Sequence, residues 1–197
     1  MSIIGNSLPR YSYSLTLGFD WKGIDFSAFF QGVGHRDWYP EGGSDTAYEF
    51  WVNYASLYPS FIPVDFMKDV WTEENPNAYF PRIRGYAANT SGQLGVINDR
   101  YIQNVAYLRL KNLTVGYSLP KRLVRKVGME GVRFYFTGEN LFYISPLRKY
   151  CKTVDPENAG ATGALNGASG IGTSWTGGPG TAYPYSSVFS VGVDVKF

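Results

Sequence analysis

From Tyr185 to Phe197 apolar and polar positions alternate. Phe189, Val191, Val193, Val195 and Phe197 fall in one phase, and Ser190, Gly192, Asp194 and Lys196 in the other. Successive side chains of a strand point to opposite faces, so the pattern predicts a strand with one oily and one wet face. The same alternation recurs upstream. Tyr11, Tyr13, Leu15, Leu17 and Phe19 interleave with Ser12, Ser14, Thr16, Gly18 and Asp20. After the turn signal Trp21-Lys22-Gly23, Ile24, Phe26, Ala28 and Phe30 alternate with Asp25, Ser27, Phe29 and Gln31, which completes a predicted hairpin. Val132, Phe134 and Phe136 likewise oppose Arg133, Tyr135, Thr137 and Glu139. One segment slips in parity: Leu108 and Leu110 share a phase, whereas Leu113, Val115, Tyr117 and Leu119 hold the other. A β-bulge near Lys111-Asn112 restores a continuous apolar face.

The expected fold is therefore all-β, an antiparallel up-and-down meander of about five strands near 10–20, 24–33, 103–119, 131–142 and 185–197. Its connections are unequal. The first hairpin closes over a few residues and the 120–130 link is short, but segments 34–102 and 143–184 are long. In a meander, alternate connections leave from the same end, so both long loops share one end. Outer-membrane barrels have this asymmetry, with short periplasmic turns and long extracellular loops. Aromatic residues also gather near the expected strand ends: Tyr11, Tyr13, Tyr143 and Tyr185 at the loop end, and Phe19, Trp21 and Tyr117 at the turn end. Such rings favour a membrane interface.

Composition fits that picture. The chain holds 16 Tyr, 13 Phe and 5 Trp with only 17% charged residues. A mean hydropathy of -0.19 is compatible with strands that are half wet. The net charge of +2 gives no footing for nucleic acid. No apolar run reaches the roughly 18 residues of a spanning helix. Residues 1–10 contain no basic-then-apolar secretion signal, which is expected of a piece of a longer product.

Several stretches resemble the SusC/RagA family of TonB-dependent outer-membrane transporters. They are Leu8–Gly32, Tyr107–Pro120 with the basic turn after it, Gly138-Glu-Asn-Leu-Phe142, and the loop motifs Trp71–Arg82 and Val154–Glu157. The likeness covers nearly the whole chain, leaving only the Gly/Ser-rich Ala159–Thr181 without a counterpart. It implies that residues 1–197 are the C-terminal part of a plugged barrel of about 22 strands, with the plug and N-terminal region absent. The resemblance further implies a Gram-negative outer-membrane importer of oligosaccharides or peptides. Its partners would be the rest of the barrel and plug, a SusD-like lipoprotein, outer-membrane lipid, and the TonB complex through the missing N-terminal part. On this reading Leu15, Leu17, Phe26, Phe134, Phe136, Phe189, Val191 and Val193 face the membrane, and Phe197 serves as a barrel-assembly signal.

Candidate binding residues lie in the long loops. Trp38, Tyr39, Trp51 and Trp71 are candidates for a sugar-stacking platform, set against the reading that these rings pack the loop core and interface. Residues 46–58 place Trp51, Tyr54 and Tyr58 at helical spacing. No enzyme is expected. His35 is the sole histidine, no His/Cys cluster has metal-ligand spacing, and neither Glu73-Glu74 nor Asp155/Glu157 defines an acid/base pair. Gly167–Gly172 lacks the strand-then-helix setting of a phosphate cradle. No cofactor is expected, and Cys151 stands alone as a loop residue of no special chemistry. Lys121, Arg122, Arg125 and Lys126 read as a solvated amphipathic turn. A second architecture, a secreted soluble β-sandwich that binds carbohydrate, shares the alternation but spreads its loops more evenly.

Overall fold

The computed structural model describes residues 3–39, 66–84, 98–151, 154–159 and 185–197. The expected loop helix over 46–58, with Trp51, lies outside them. The chain divides into two compact units.

The first, a sheet unit, comprises Pro9–Arg36, Ala106–Pro146 and Tyr185–Phe197. Its strands are β1 (Ser12–Trp21), β2 (Ile24–Val33), β5 (Tyr107–Ser118), β6 (Gly131–Ile144) and β7 (Val188–Lys196). They form one five-stranded sheet in the order β1-β2-β5-β6-β7, antiparallel throughout. Each strand thus lies beside its nearest sequence neighbour within the sheet, as a meander requires. The sandwich alternative is not favoured, since no Greek-key return interrupts this order.

The hairpin between β1 and β2 closes over Lys22 and Gly23, at φ of 49° and 89°. Two positive φ values mark the type I′ family of turns, whose twist matches that of the flanking strands. Gly23 is also sterically required, because a Cβ there would sit 2.8 Å from the Ser118 carbonyl oxygen. Between β2 and β5 the register passes from Phe29↔Asn112 to Phe30↔Leu110, so Lys111 bulges out. That bulge brings Leu108 and Leu110 into phase with Leu113, Val115 and Tyr117. Opposite it, β6 carries Asn140 at φ 50°, a left-handed conformation that Asn tolerates better than most residues. Here Leu110↔Phe142 is followed by Asn112↔Glu139.

The link from β5 to β6 is more structured than a turn. Lys121–Val124 form a short helix, α1, that continues as a 3-10 turn over Arg125–Val127. Gly128 ends it at φ 77°, and its N–H donates to the Arg125 carbonyl.

The second, a loop unit, comprises Met1–Leu8, Asp37–Val105 and Leu147–Pro184. Strands β3 (Asp37–Trp38) and β4 (Gln103–Asn104) pair antiparallel within it. Gln103 and Asn104 were expected at the start of the long third strand. They belong instead to this small ladder, and β5 begins only at Tyr107. The core holds Trp38, Phe66, Val70, Phe80, Tyr101, Val105, Leu147, Cys151, Val154 and Ala159. Cys151, in the loop, is fully buried in this core.

Candidate functional site

Cross-strand register gives the sheet two faces of opposite chemistry. Three rows trace the first face. Trp21, Ile24, Tyr117, Phe134 and Val193 make one; Phe19, Phe26, Val115, Phe136 and Val191 make the next; and Leu17, Ala28, Leu113, Gly138 and Phe189 make the third. All eight residues expected to face the membrane lie on this face. Much of it is uncovered: Leu15 is 53% exposed, Phe134 47%, Phe189 65% and Val191 84%. Phe19 and Phe26 stack across the strands with centroids 5.0 Å apart. An open trough of about 690 Å³ runs over β5 to β7, lined by Val115, Tyr117, Phe134, Phe136, Val191 and Val193. Monomeric soluble proteins rarely leave so continuous an apolar surface exposed. Phe197 lies just past β7 with its ring exposed.

The opposite face is polar and holds a charged bridge. Arg133 of β6 donates through Nε to Asp25 Oδ1 at 2.9 Å and through NH2 to Asp25 Oδ2 at 2.6 Å. Its NH1 reaches Asp194 Oδ2 of β7 at 3.2 Å. Asp25 belongs to β2, so the guanidinium spans the intervening strand β5. Gly116 makes this possible: a Cβ there would meet both Asp25 carboxylate oxygens and lie 2.7 Å from Arg133 Nε.

Farther along this face, Arg109 lies 4.8 Å from the Tyr143 ring centroid and 5.2 Å from that of Tyr185, while Lys111 is 4.7 Å from Tyr185. Tyr143 and Tyr185 were expected in an interfacial aromatic ring. They sit over cations on the polar side instead, because Arg109↔Tyr143 is a register pair on that face. Sequence reasoning missed both charged groups. Its signal was present, since Asp25, Arg109 and Arg133 occupy the polar phase of their strands. Which charges meet depends on register, and alternation leaves that open.

The loop unit places the expected binding rings differently. Trp38 is only 6% exposed and is part of the hydrophobic core, where its ring offers no face for stacking. Tyr39 packs on that core, and its hydroxyl accepts a hydrogen bond from Asn98 Nδ2 at 3.0 Å. Burial, with the nearby Tyr101 phenol, pushes the Tyr39 hydroxyl up to about 12. Burial likewise raises Tyr79 and Tyr101. Trp71 is partly exposed beside an open cleft of about 530 Å³, lined also by Met67, Val70, Glu73, Arg82 and Ile83.

The motif around Trp71 has a clear structural role. Trp71 N–H donates to Phe80 O, and Phe80 N–H to Asp69 O, closing a compact loop. Tyr79 stacks on Tyr150 at 3.8 Å and 8°. Its hydroxyl donates to Arg100 O at 3.0 Å and accepts from Gln103 Nε2 at 2.8 Å. Asp155 Oδ1 accepts from Glu157 N–H at 3.0 Å, so Asp155 and Glu157 form a turn. Among the described residues no group of His, Cys, Asp and Glu could hold a metal ion. No described helix is long and apolar enough to cross a membrane, which says nothing of strands.

No family model matches the chain. The curated TonB-dependent receptors P26 and P3 of Formosa agariphila are 28% and 27% identical to it, each over 99% of the chain. In sequence and in fold the chain is similar to a segment of these TonB-dependent receptors. The segment spans only 18% and 17% of those receptors. Solved structures agree on the fold. The RagAB peptide transporter superposes with a TM-score of 0.61 at 21% identity, over 99% of this segment and 18% of the RagAB chain. The RagAB peptide importer in its open-open and closed-closed states matches to the same degree.

Proposed function

We propose that this segment contributes adjacent C-terminal strands, and the loops between them, to the transmembrane barrel of an outer-membrane TonB-dependent nutrient importer. One observation carries the reading: a single apolar face runs uninterrupted across five antiparallel strands, with a charged and hydroxylated face behind it. In such a barrel the first face meets lipid and the second lines the lumen. Among the described residues no strand pairs with the outer edges of β1 and β7, and we assign their neighbours to the remainder of the receptor. The family resemblance supports a SusD-like lipoprotein as outer partner, and energy coupling to TonB through parts of the receptor outside this segment. Peptides or oligosaccharides are the proposed cargo. Trp71, beside its cleft, is the described ring best placed to touch them, and Phe197 is proposed to act in barrel assembly.

Single cysteines test this arrangement in the full receptor. Within this segment the one thiol, Cys151, is fully buried; cysteines elsewhere in the receptor are first replaced by serine to give a quiet background. Cysteines at Leu17, Val115 and Val191 are expected to react with a bilayer-dissolved maleimide and resist a charged one. Cysteines at Thr16, Thr114 and Ser190 should do the reverse. Equal labelling of both sets by the charged reagent would exclude a lipid-facing sheet.

A further inference from the structure

The link between β5 and β6 carries chemistry that transport does not require. Lys121, Arg122, Arg125 and Lys126 place four cations within six residues, with Glu130 as the nearest acid in sequence. Val124 is 2% exposed and anchors the link, whereas Leu123 and Val127 are 56% and 66% exposed. Val124 is turned inward, and Lys121, Arg122, Leu123, Arg125, Lys126 and Val127 around it are all exposed. The result is a cationic surface with an exposed apolar pair, the pattern of a segment lying in a membrane interface.

Its position in the sheet unit fits the same reading. The row Trp21, Ile24, Tyr117, Phe134 and Val193 lies toward the end of the apolar face from which this link departs, and the link begins just after Ser118. Trp21 and Tyr117 in that row are well exposed. Amphipathic rings at the end of an apolar face mark where hydrocarbon gives way to headgroups. Cations immediately beyond them stand at headgroup level, where each Lys or Arg attracts anionic lipid.

We infer that the β5–β6 link is a binding surface for anionic phospholipid headgroups in the leaflet it meets. This rests on the membrane-spanning reading above. Nucleic acid would use the cations but give Leu123 and Val127 nothing to contact, whereas a lipid surface engages both.

The test uses the full receptor in neutral detergent, with bound lipid counted by native mass spectrometry. Phosphatidylglycerol should be preferred over phosphatidylcholine by about tenfold at low salt, since two such cations alone can supply that ratio. High salt should reduce the preference. In the Lys121→Gln, Arg122→Gln, Arg125→Gln, Lys126→Gln variant the preference should shrink to within about twofold. Heat-modifiable gel migration confirms that the variant is folded. Should it fail to fold, the Arg122→Gln, Lys126→Gln pair removes two of the four charges and should lower the preference at least severalfold. A folded variant that keeps the full preference, or a wild type that has none, overturns the inference while leaving the barrel intact. Failure of the wild-type receptor to insert into pure phosphatidylcholine vesicles would instead overturn the membrane reading, and this inference with it.

Discussion

Arg133 shows how much one residue's meaning depends on its neighbours. In sequence it is a polar residue in a strand of alternating character. In the sheet it binds Asp25 two strands away, and only because Gly116 leaves the path clear. Neither partner nor gap can be read from spacing along the chain. Trp38 makes the converse point: an aromatic in a long loop suggests a platform, yet its contacts belong to a core. Tyr39 carries a prediction at this scale. Its hydroxyl is held at about 12 against an ordinary 10.0, chiefly by burial. The folded state thus retains a proton that the unfolded state gives up. Its contribution is complete below about pH 10 and is lost as pH climbs through about 12. Tyr39→Phe should cost about 0.5–1.5 kcal/mol near neutrality, through the hydrogen bond from Asn98. The same variant should soften the alkaline decline, to which buried Tyr79 and Tyr101 also contribute. Near-ultraviolet circular dichroism of the purified receptor from pH 8 to 12.5, roughly the window these shifts define, would show this. An unchanged alkaline profile in the variant would count against Tyr39.

Elements were more legible than contacts. The β1–β2 hairpin announces itself by two alternating runs around Lys22-Gly23, and the slip of parity in β5 points to a bulge where Lys111 lies. Both signals are local, so local sequence suffices. The start of β5 was not legible, because Gln103-Asn104 is extended in either sheet and only tertiary pairing assigns it to β4. The helical link at Lys121–Val124 was also missed as a helix, being too short for periodicity to show. The bulge makes an unusual demand on deletions. Removing Lys111 leaves Leu108, Leu110, Leu113 and Val115 in strict alternation, so every apolar side chain keeps its face. Removing Thr114, which sits in regular register, would turn Val115 and Tyr117 toward the polar side or dislodge the residues before them. The Lys111 deletion is therefore expected to retain heat-modifiable, membrane-inserted receptor, at the cost of the contact with Tyr185. The Thr114 deletion should abolish insertion. Equal loss in both would mean that the bulge serves more than register.

At the scale of the whole molecule, alternation specifies a two-faced sheet, and the faces make opposite demands on a charge. Phe136 and Thr137 are adjacent near the middle of β6, with similar distances to both strand ends. Phe136 shares its row with Val115 and Val191, and Thr137 shares its row with Thr114 and Ser190. An arginine on a lipid-facing strand position near the bilayer midplane costs about 2–4 kcal/mol, whereas a lumen position accepts it. Phe136→Arg should accordingly lower the yield of inserted receptor severely, and Thr137→Arg should insert almost as wild type. Composition and size barely differ between the two variants, so the contrast isolates the face. A soluble sheet would separate them far less in a membrane fractionation, because neither product would be found there. If Thr137→Arg proved the more damaging of the two, the assignment of lipid and lumen to these faces would have to be exchanged.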